Sequence, residues 1–360
     1  MASIWSDRIS VSVFGEAQGP AIGVTVDDLP PGEFIDVKQL HRFMERRMPG
    51  VHEGGELCQI MSGIMNDRTT GSPLCAFIQN TDVVVPDVKE QLGRLPRPGH
   101  ADYTGTLRYR GFNDIRDGGH LSDRLTAPLC FAGAVCGQIL ERRGIYVGAH
   151  ALEIHGIRDK EFDHADVTRE DIVAVRGKSF PVISNKAGRD MLEDIRAAAE
   201  GGETLGGIVE CVAINVPAGI GSPIFDGLEN TIASLLFGIP GVRGLEFGAG
   251  FESAKMVGSQ SNDSFYVDDH GHVRTASNNH GGILGGISSG MPIVLRVAVK
   301  PTASIGQAQE TVNLSTMETE KLDAESCAVS CLVPRTVPCV EACVNIALLD
   351  HMLDHPHFTG

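Results

Sequence analysis

The sequence has few aromatic residues, no excess of positive charge and no apolar run long enough to cross a bilayer. Phe, Trp and Tyr make up 5% of its 360 residues, so its core must be mostly aliphatic. The formal net charge of −16 argues against nucleic acid and anionic membranes as partners, because both require a basic face. The N-terminus lacks a basic segment followed by a long apolar run, and we therefore expect a cytoplasmic protein.

The cysteine pattern argues against a disulfide framework. Nine cysteines is an odd number in a chain of this length, which is typical of reduced thiols in a reducing compartment. Two CxxxC pairs stand near the C-terminus, but structural zinc sites usually space their cysteines more tightly. The last two cysteines also lie at helical spacing on an apolar face. We therefore predict reduced thiols, and no metal, at Cys327, Cys331, Cys339 and Cys343.

Apolar periodicity predicts an α+β fold in one domain. No linker rich in Ser, Gly or Pro divides the chain, so residues 1–360 are expected to form a single unit. Strands and helices follow each other irregularly, which favours antiparallel sheets packed against helices. The predicted strands are 9–14, 21–26, 57–63, 74–80, 145–157, 207–216 and 291–300. The predicted helices are 37–47, 125–143, 185–200, 225–237 and 334–353, and the polar segment 159–184 is expected to be peripheral.

The segment 97–128 combines many charges with many glycines, and we interpret it as an active-site loop. Its five arginines supply fixed cationic groups, and its two histidines titrate near neutrality. The glycines let the backbone approach a ligand closely. The alternative for any one of these charges is an ordinary surface loop, in which each arginine pairs with a neighbouring aspartate.

The helix predicted after this loop begins near a capping residue, Ser122 or Asp123. Anions are favoured at helix N-termini, because backbone N–H groups there lack partners within the helix. The start of this helix, beside His120 and Arg124, is therefore a candidate phosphate site.

Several motifs resemble those of one enzyme family. RPGHADYTG at 97–105 is close to a signature of the chorismate synthases, and the segments 216–251 and 277–305 are similar to two more. FGEAQGPAIG near the start and VPRTVPCVEA near the end follow in the family's order. The resemblance implies a β-α-β sandwich, a homotetramer and elimination of phosphate from 5-enolpyruvylshikimate-3-phosphate to give chorismate. It also implies reduced FMN as cofactor, with NADPH as a candidate reductant.

The resemblance also implies a set of site residues. His100 matches the family histidine that protonates the flavin or holds its proton. Basic positions match those expected to hold a phosphorylated, carboxylated substrate, and polar positions match those that line the flavin. The substrate-binding residues would be Arg47, Arg124 and Arg335, and the cofactor-binding residues His120, Ser122, Gly285, Lys300, Thr302 and Ser304.

Two motifs depart from the family pattern. The family turn GESHG is GEAQG here, so Gln18 replaces a histidine and cannot exchange a proton near pH 7. The family's Arg-His-Asp triplet is replaced by residues 327–329, Cys-Ala-Val. An active chorismate synthase in which His41, His52 or His120 substitutes is one hypothesis. The alternative is a catalytically silent relative that binds flavin or an anionic metabolite, or that acts through assembly.

Overall fold

The computed structural model describes residues 3–48, 58–80, 95–324 and 329–355. His52, Cys327 and Ala328 lie outside these ranges. The helices are α1 Val37–Glu45, α2 Asp102–Arg108, α3 Thr126–Glu141, α4 Arg169–Arg176, α5 Asn185–Glu200, α6 Leu228–Leu236, α7 Gly258–Ser261 and α8 Val333–Leu353.

Eighteen strands occur in the described residues, and ten of them form two five-stranded antiparallel sheets. The first sheet has the order β1-β2-β3-β7-β4 and the second β11-β16-β10-β8-β9. The strands are β1 Ile4–Ser6, β2 Ser10–Gly15, β3 Ala21–Asp27, β4 Gln59–Ser62, β5 Ile64–Met65, β6 Arg68–Thr69, β7 Leu74–Gln79, β8 Tyr146–Ile154, β9 Ile157–Arg158, β10 Gly207–Ile214, β11 Val242–Phe247, β12 Phe265–Val267, β13 Val273–Thr275, β14 Ile283–Leu284, β15 Ile287–Ser288, β16 Ile293–Val299, β17 Gln309–Asn313 and β18 Glu318–Leu322.

A layer of two helices separates the sheets and confirms the predicted α+β sandwich. Helix α3 packs on β2, β3 and β7 of the first sheet, and α8 packs on β8 and β10 of the second. Helices that are apolar on all sides belong in a protein interior or in a membrane. Among the described helices, α8 is the one long and apolar enough to cross a membrane, but 94% of its apolar window is buried inside the protein. It is therefore a core helix.

Small residues let α3 and α8 approach closely. A Cβ atom added at Gly133 would lie 2.2 Å from the Cα of Ala342, and one added at Gly137 would lie 2.6 Å from the Asn345 side chain. Cys130 of α3 also lies against α8, with its sulfur 3.5 Å from that of Cys339. The eight described cysteines are free thiols, as predicted, and Cys331, Cys339 and Cys343 are buried.

Local backbone chemistry explains where the boundaries differ from the prediction. The long strand predicted at 145–157 is interrupted by a turn at His155 and Gly156, both with positive φ, and so divides into β8 and β9. The segment 159–184 contains helix α4, whose capping box joins Thr168 and Asp171. Ser122 accepts a hydrogen bond from the backbone N–H of Arg124 and so caps a short 3₁₀ turn rather than α3 itself.

A buried charge network joins the strands of the second sheet. His150 on β8 faces Glu210 on β10, neither is exposed, and His150 Nε2 lies 3.0 Å from the Glu210 carboxylate. Asp159 lies 3.4 Å from the other ring nitrogen of His150, and His164 lies 2.8 Å from Glu210. Burial alone would raise the pKa of Glu210, but hydrogen bonds from the two histidines lower it to about 2. Asp159 and Glu210 raise the pKa of His150 despite its burial.

We predict that Glu210→Gln lowers the free energy of unfolding by about 3–5 kcal/mol near pH 6, because it removes the carboxylate shared by His150 and His164 and leaves Asp159 as the remaining charged partner of His150. The pKa of Glu210 is lower in the folded state than its ordinary value of 4.5. Its stabilising contribution is therefore complete above that value and is lost as the pH falls toward about 2. Urea unfolding at pH 6 and pH 3 measures the effect, and the deficit of the variant should shrink at pH 3.

The control for this prediction is Glu252→Gln, since the side chain of Glu252 is 64% exposed. This change should alter stability by less than about 0.5 kcal/mol at either pH. An equal deficit of Glu210→Gln at both pH values would show that the charge of Glu210 does not stabilise the fold.

Candidate active site

A cavity of about 910 Å³ lies between β1 and β2 of the first sheet and the ends of β11 and β16 of the second. Three polar segments line it: 97–101, 117–126 in part, and 300–304. The C-terminal end of α6 closes another side. Its apolar wall includes Trp5, Val13, Leu129, Leu235 and Leu332. The cavity therefore presents a mixed apolar and charged surface, as small-molecule sites usually do.

Six of the ten predicted site residues line this cavity although they come from distant parts of the chain. They are His100, His120, Ser122, Lys300, Thr302 and Ser304. Side-chain contacts hold the segments together: Arg97 donates to Ser304 Oγ at 3.3 Å, and Lys300 donates to the carbonyl oxygen of Gly99 at 3.0 Å. The fold thus brings the loop at 97–128 and the end of β16 to one place.

His100 is held by a buried ion pair. Its Nδ1 lies 2.5 Å from Asp102, and Arg97 donates to the other carboxylate oxygen at 2.7 Å. Burial alone would raise the pKa of Asp102, but the hydrogen bonds from His100 and Arg97 keep it well below its usual range. Asp102 therefore stays ionised and holds the Nδ1 proton of His100. This fixes the ring orientation, and Nε2, 3.4 Å from a guanidinium nitrogen of Arg97, is the nitrogen available for chemistry.

Glycines shape the loop beside His100. Gly118 and Gly119 both have positive φ, and a Cβ atom added at Gly119 would lie 1.9 Å from the carbonyl oxygen of Asp114. The carbonyl oxygen of Gly119 accepts a hydrogen bond from Ala17 N at 3.0 Å. Ala17 belongs to the GEAQG turn, and its carbonyl oxygen accepts a hydrogen bond from the side chain of Asn80 at 3.1 Å. The GEAQG turn and the glycine loop are therefore fixed against each other.

His120 has a structural role as well as a place in the cavity wall. Its Nδ1 lies 2.7 Å from the carbonyl oxygen of Gly15, and its Nε2 lies 2.6 Å from Ser3 Oγ. Both ring nitrogens thus have partners. The residue joins the N-terminal strand and the GEAQG turn to the loop.

The other four predicted site residues do not line the cavity. Arg47 is 2% exposed and donates to Thr126 Oγ1 and to the carbonyl oxygen of Asp123. It therefore stabilises the N-terminal end of α3 from the protein interior. Arg124 donates to the carbonyl oxygen of Ala17 at 3.3 Å. Arg335 lies half-buried in the first turn of α8.

Gly285 lies at the opposite end of α6 from the cavity. It connects β14 to β15, and its neighbour Gly286 accepts a hydrogen bond from Leu228, the first residue of α6. The cavity is lined instead by Leu235 and Gly238, at the helix C-terminus. Nine helical residues span about 13 Å. Gly285 therefore lies roughly that far from the cavity of its own chain.

Arg243 is a site residue that the sequence reasoning missed. It follows Val242 on β11, which pairs with Val299 of β16, and an irregularity in the pairing leaves Arg243 without a strand partner. Arg243 and Lys300 both line the cavity. Burial and the charge of Arg243 lower the pKa of Lys300. Within the described residues, no carboxylate lies within salt-bridge distance of either cation. Two neighbouring cations without a counter-charge form a surface that favours an anion.

Comparisons with known proteins agree with this geometry. The sequence profile described as chorismate synthase matches residues 9–353. The chain belongs to the chorismate synthase family. It is 41% identical to a chorismate synthase from Dehalococcoides mccartyi over 90% of its own length and 89% of the relative's. It is 43% identical to one from Thermococcus kodakarensis, over 89% and 90% of the two lengths.

The fold comparison gives the same answer. A crystal structure of chorismate synthase matches with a TM-score of 0.76 at 26% sequence identity, over 97% of this chain and 92% of the other. The long match and the mixed antiparallel architecture confirm the predicted fold class. Members of the family are lyases, and the alternative of a silent relative is not favoured.

The described residues of the two departures from the chorismate synthase pattern, Gln18 and Val329, lie at or beside this site. Gln18 belongs to the turn that is fixed against Gly119, and Val329 lines the cavity. The backbone of Val329 accepts a hydrogen bond from Thr302 at 3.1 Å. Among the replacement histidines considered, His120 lines the cavity, whereas His41 lies on α1 and is not part of its wall.

We predict that Gly119→Ala disrupts the site, because its Cβ atom would collide with Asp114 on a backbone with φ of +56°. Gly111→Ala is the matched control, since its φ of +75° imposes a similar conformational cost but nothing lies within 4 Å of the added atom. The control should cost about 1–2 kcal/mol, and the collision should cost about 1–3 kcal/mol more. Urea unfolding measures both variants, and equal losses would show that the loop moves freely away from Asp114.

Proposed function

We propose that this protein is a chorismate synthase that eliminates phosphate from 5-enolpyruvylshikimate-3-phosphate to give chorismate, in the shikimate pathway of aromatic amino-acid biosynthesis. The observation that carries the proposal is a cavity lined by His100 and by two cations, Lys300 and Arg243, that have no carboxylate partner among the described residues. The substrate carries phosphate and carboxylate groups. A local positive surface in an acidic protein suits such an anion.

The elimination needs groups for a leaving anion and for a proton. The C–O bond to phosphate breaks with its electron pair on the phosphate. A C–H bond breaks as well, its electron pair adds one C=C bond to the product, and its proton passes to a base. The net reaction is neither an oxidation nor a reduction. Cations that meet the departing phosphate stabilise the charge that develops on it, which is usually a large contribution to catalysis.

The residues of the cavity fit reduced FMN. A volume of about 910 Å³ is near the top of the range of about 300–1,000 Å³ for small-molecule sites, which leaves room for a flavin beside a substrate. The apolar wall suits the isoalloxazine rings, and Lys300, Thr302 and Ser304 would hold the phosphate, with His120 and Ser122 along the flavin. When bound, the cofactor supplies electron density to the reacting substrate.

His100 is proposed as the catalytic acid. Asp102 holds the proton on its Nδ1, so Nε2, which has a guanidinium nitrogen of Arg97 3.4 Å away, is the nitrogen that would give or take a proton inside the cavity. Arg97 contacts both Asp102 and Ser304, so it holds the His100–Asp102 pair beside the segment at 300–304.

We further propose a cytoplasmic homotetramer of single-domain subunits that binds no nucleic acid or membrane, with NADPH a candidate source of electrons for the flavin. Large apolar side chains on the described surface support self-association, since exposed apolar patches mark interaction sites. Phe112 and Phe225 are each 90% exposed, and Phe251 is 77% exposed.

We predict that Lys300→Ala removes the preference for FMN over riboflavin, which lacks the phosphate. Trp5 is the single tryptophan of the chain and lines the cavity, so quenching of its fluorescence reports binding. A hydrogen bond to a charged group contributes about 1.5–3 kcal/mol, so FMN affinity should fall roughly 10- to 150-fold. Riboflavin affinity should change little. Lys255→Ala, at an exposed lysine paired with Glu252, is the control. A wild type that binds both flavins equally would contradict the phosphate assignment.

We predict that the wild type releases phosphate from the substrate in the presence of reduced FMN, and that His100→Ala lowers this rate by about 10²–10⁴-fold. His155→Ala is the control, because the side chain of His155 is 66% exposed and is not part of the cavity wall. The folded state of each variant is checked by its unfolding transition. A wild type that binds FMN and substrate but releases no phosphate would refute the proposed function.

A further inference from the structure

A second group of ionisable side chains lies outside the cavity, where the loop that follows β9 covers the second sheet. Glu161 and His164 belong to this loop, and Glu210 lies on β10 beneath it. One ligand atom from each of the three side chains lies within 4.8 Å of the other two. Within the described residues, this is the one place where three atoms of the kinds that bind metal ions converge in this way.

Each carboxylate of this group has one oxygen held by a neighbouring side chain and the other turned toward His164. Oε2 of Glu210 lies 3.0 Å from Nε2 of the buried His150, and Arg158 donates to Oε1 of Glu161. The remaining oxygens, Oε1 of Glu210 and Oε2 of Glu161, lie 2.8 and 3.8 Å from Nε2 of His164. Outer partners that hold the second atom of a ligand are typical of metal sites, because they fix the direction of the first.

The loop that carries Glu161 and His164 is itself fixed on the sheet. The backbone N–H of Phe162 donates to Oε2 of Glu210 at 2.9 Å, and the Phe162 side chain is 6% exposed. Its ring packs edge-on against the ring of His150, with 4.9 Å between the centroids. The side chain of Asn278 donates to the carbonyl oxygen of His164 at 2.8 Å. The three ligand atoms are therefore brought together by contacts made on both sides of the loop.

The geometry and the kinds of ligand suit zinc. Ligands about 2.1 Å from a tetrahedral zinc ion lie roughly 3.4 Å from one another, and the 2.8 and 3.8 Å distances from His164 lie on either side of this value. The side chains of His164 and Glu161 are 24% and 39% exposed, so both can rotate, and water can reach a fourth position. Imidazole with carboxylates favours a transition metal such as zinc, whereas Mg²⁺ and Ca²⁺ prefer oxygen ligands alone.

We propose that Glu161, His164 and Glu210 bind one zinc ion, with His150 as the outer partner of Glu210. Two carboxylates balance the double charge of the ion. The ion joins the loop 159–168 to β10 and so holds the peripheral segment against the second sheet. This site does not depend on the proposed function, because none of its residues lines the cavity.

The test titrates the full chain, without a histidine tag and after removal of metals with EDTA, with zinc chloride in a calorimeter. One ion should bind per chain, and an equal concentration of Mg²⁺ should not compete. His164→Ala and Glu161→Gln should each lower zinc affinity more than 10-fold, since loss of even an outer partner changes affinity about 10- to 100-fold. His155→Ala is the matched control, because His155 is a 66% exposed histidine that faces the single carboxylate of Asp194. It should bind zinc as the wild type does.

Thermal unfolding gives a second readout that a misfolded variant cannot imitate. Zinc at about 100 times its Kd should raise the Tm of the wild type and of His155→Ala, because the ion binds the folded state. The Tm of His164→Ala should not respond, although its unfolding transition without zinc should remain cooperative. A wild type that binds no zinc at micromolar concentrations, or a His164→Ala variant that binds it as tightly as the wild type, overturns the proposal and leaves the three side chains as an ion-pair cluster.

Discussion

The close approach of α3 and α8 is the constraint on which the rest of the structure depends. Both helices are apolar on nearly every side, so they are stable only between two other layers. Because residue 133 of α3 is glycine, Ala342 of α8 can contact the backbone of α3, and the layer formed by the two helices is closely packed. The sheets on either side are then held at a fixed separation. The cavity lies at one end of this sandwich, and α3 delivers the residues at its start to the cavity wall.

Electrostatics at the site oppose the charge of the molecule as a whole. The chain carries a formal charge of −16, yet its cavity gathers arginine and lysine from segments far apart in sequence. Arg97 pairs with Asp102. Arg47, which does not line the cavity, lies 4.0 Å from Asp123 of the wall. Lys300 and Arg243 are the exception in the described cavity wall. The Arg97–Asp102 ion pair thus fixes the geometry, and two cations without a carboxylate partner among the described residues remain for a ligand.

The sequence predicted the elements with strong periodicity and the loop with unusual composition, but not the contacts that depend on register. Helix α5 has the predicted bounds because its polar face is unambiguous. Arg243 was missed because its place in the cavity wall follows from an irregularity in the pairing of β11 with β16, which no local pattern reveals. The left-handed conformation of Asp117 was equally hidden, since its loop is joined through Gly119 to Ala17, about a hundred residues earlier. Arg47 was placed in the site by resemblance, whereas its burial assigns it a supporting position.

One wall of the cavity is the edge strand β1, which has three residues and pairs on one side only. An edge of this kind is held by few backbone hydrogen bonds, and short terminal segments open at a much lower free energy than the interior of a sheet. Two side-chain hydrogen bonds then hold this wall in place, one between Ser3 and His120 and one from Trp5 to Ser234. Fraying of β1 therefore gives solutes a route to the interior that leaves the sandwich intact, and the exchange of its backbone amides with deuterated solvent reports how often that route opens.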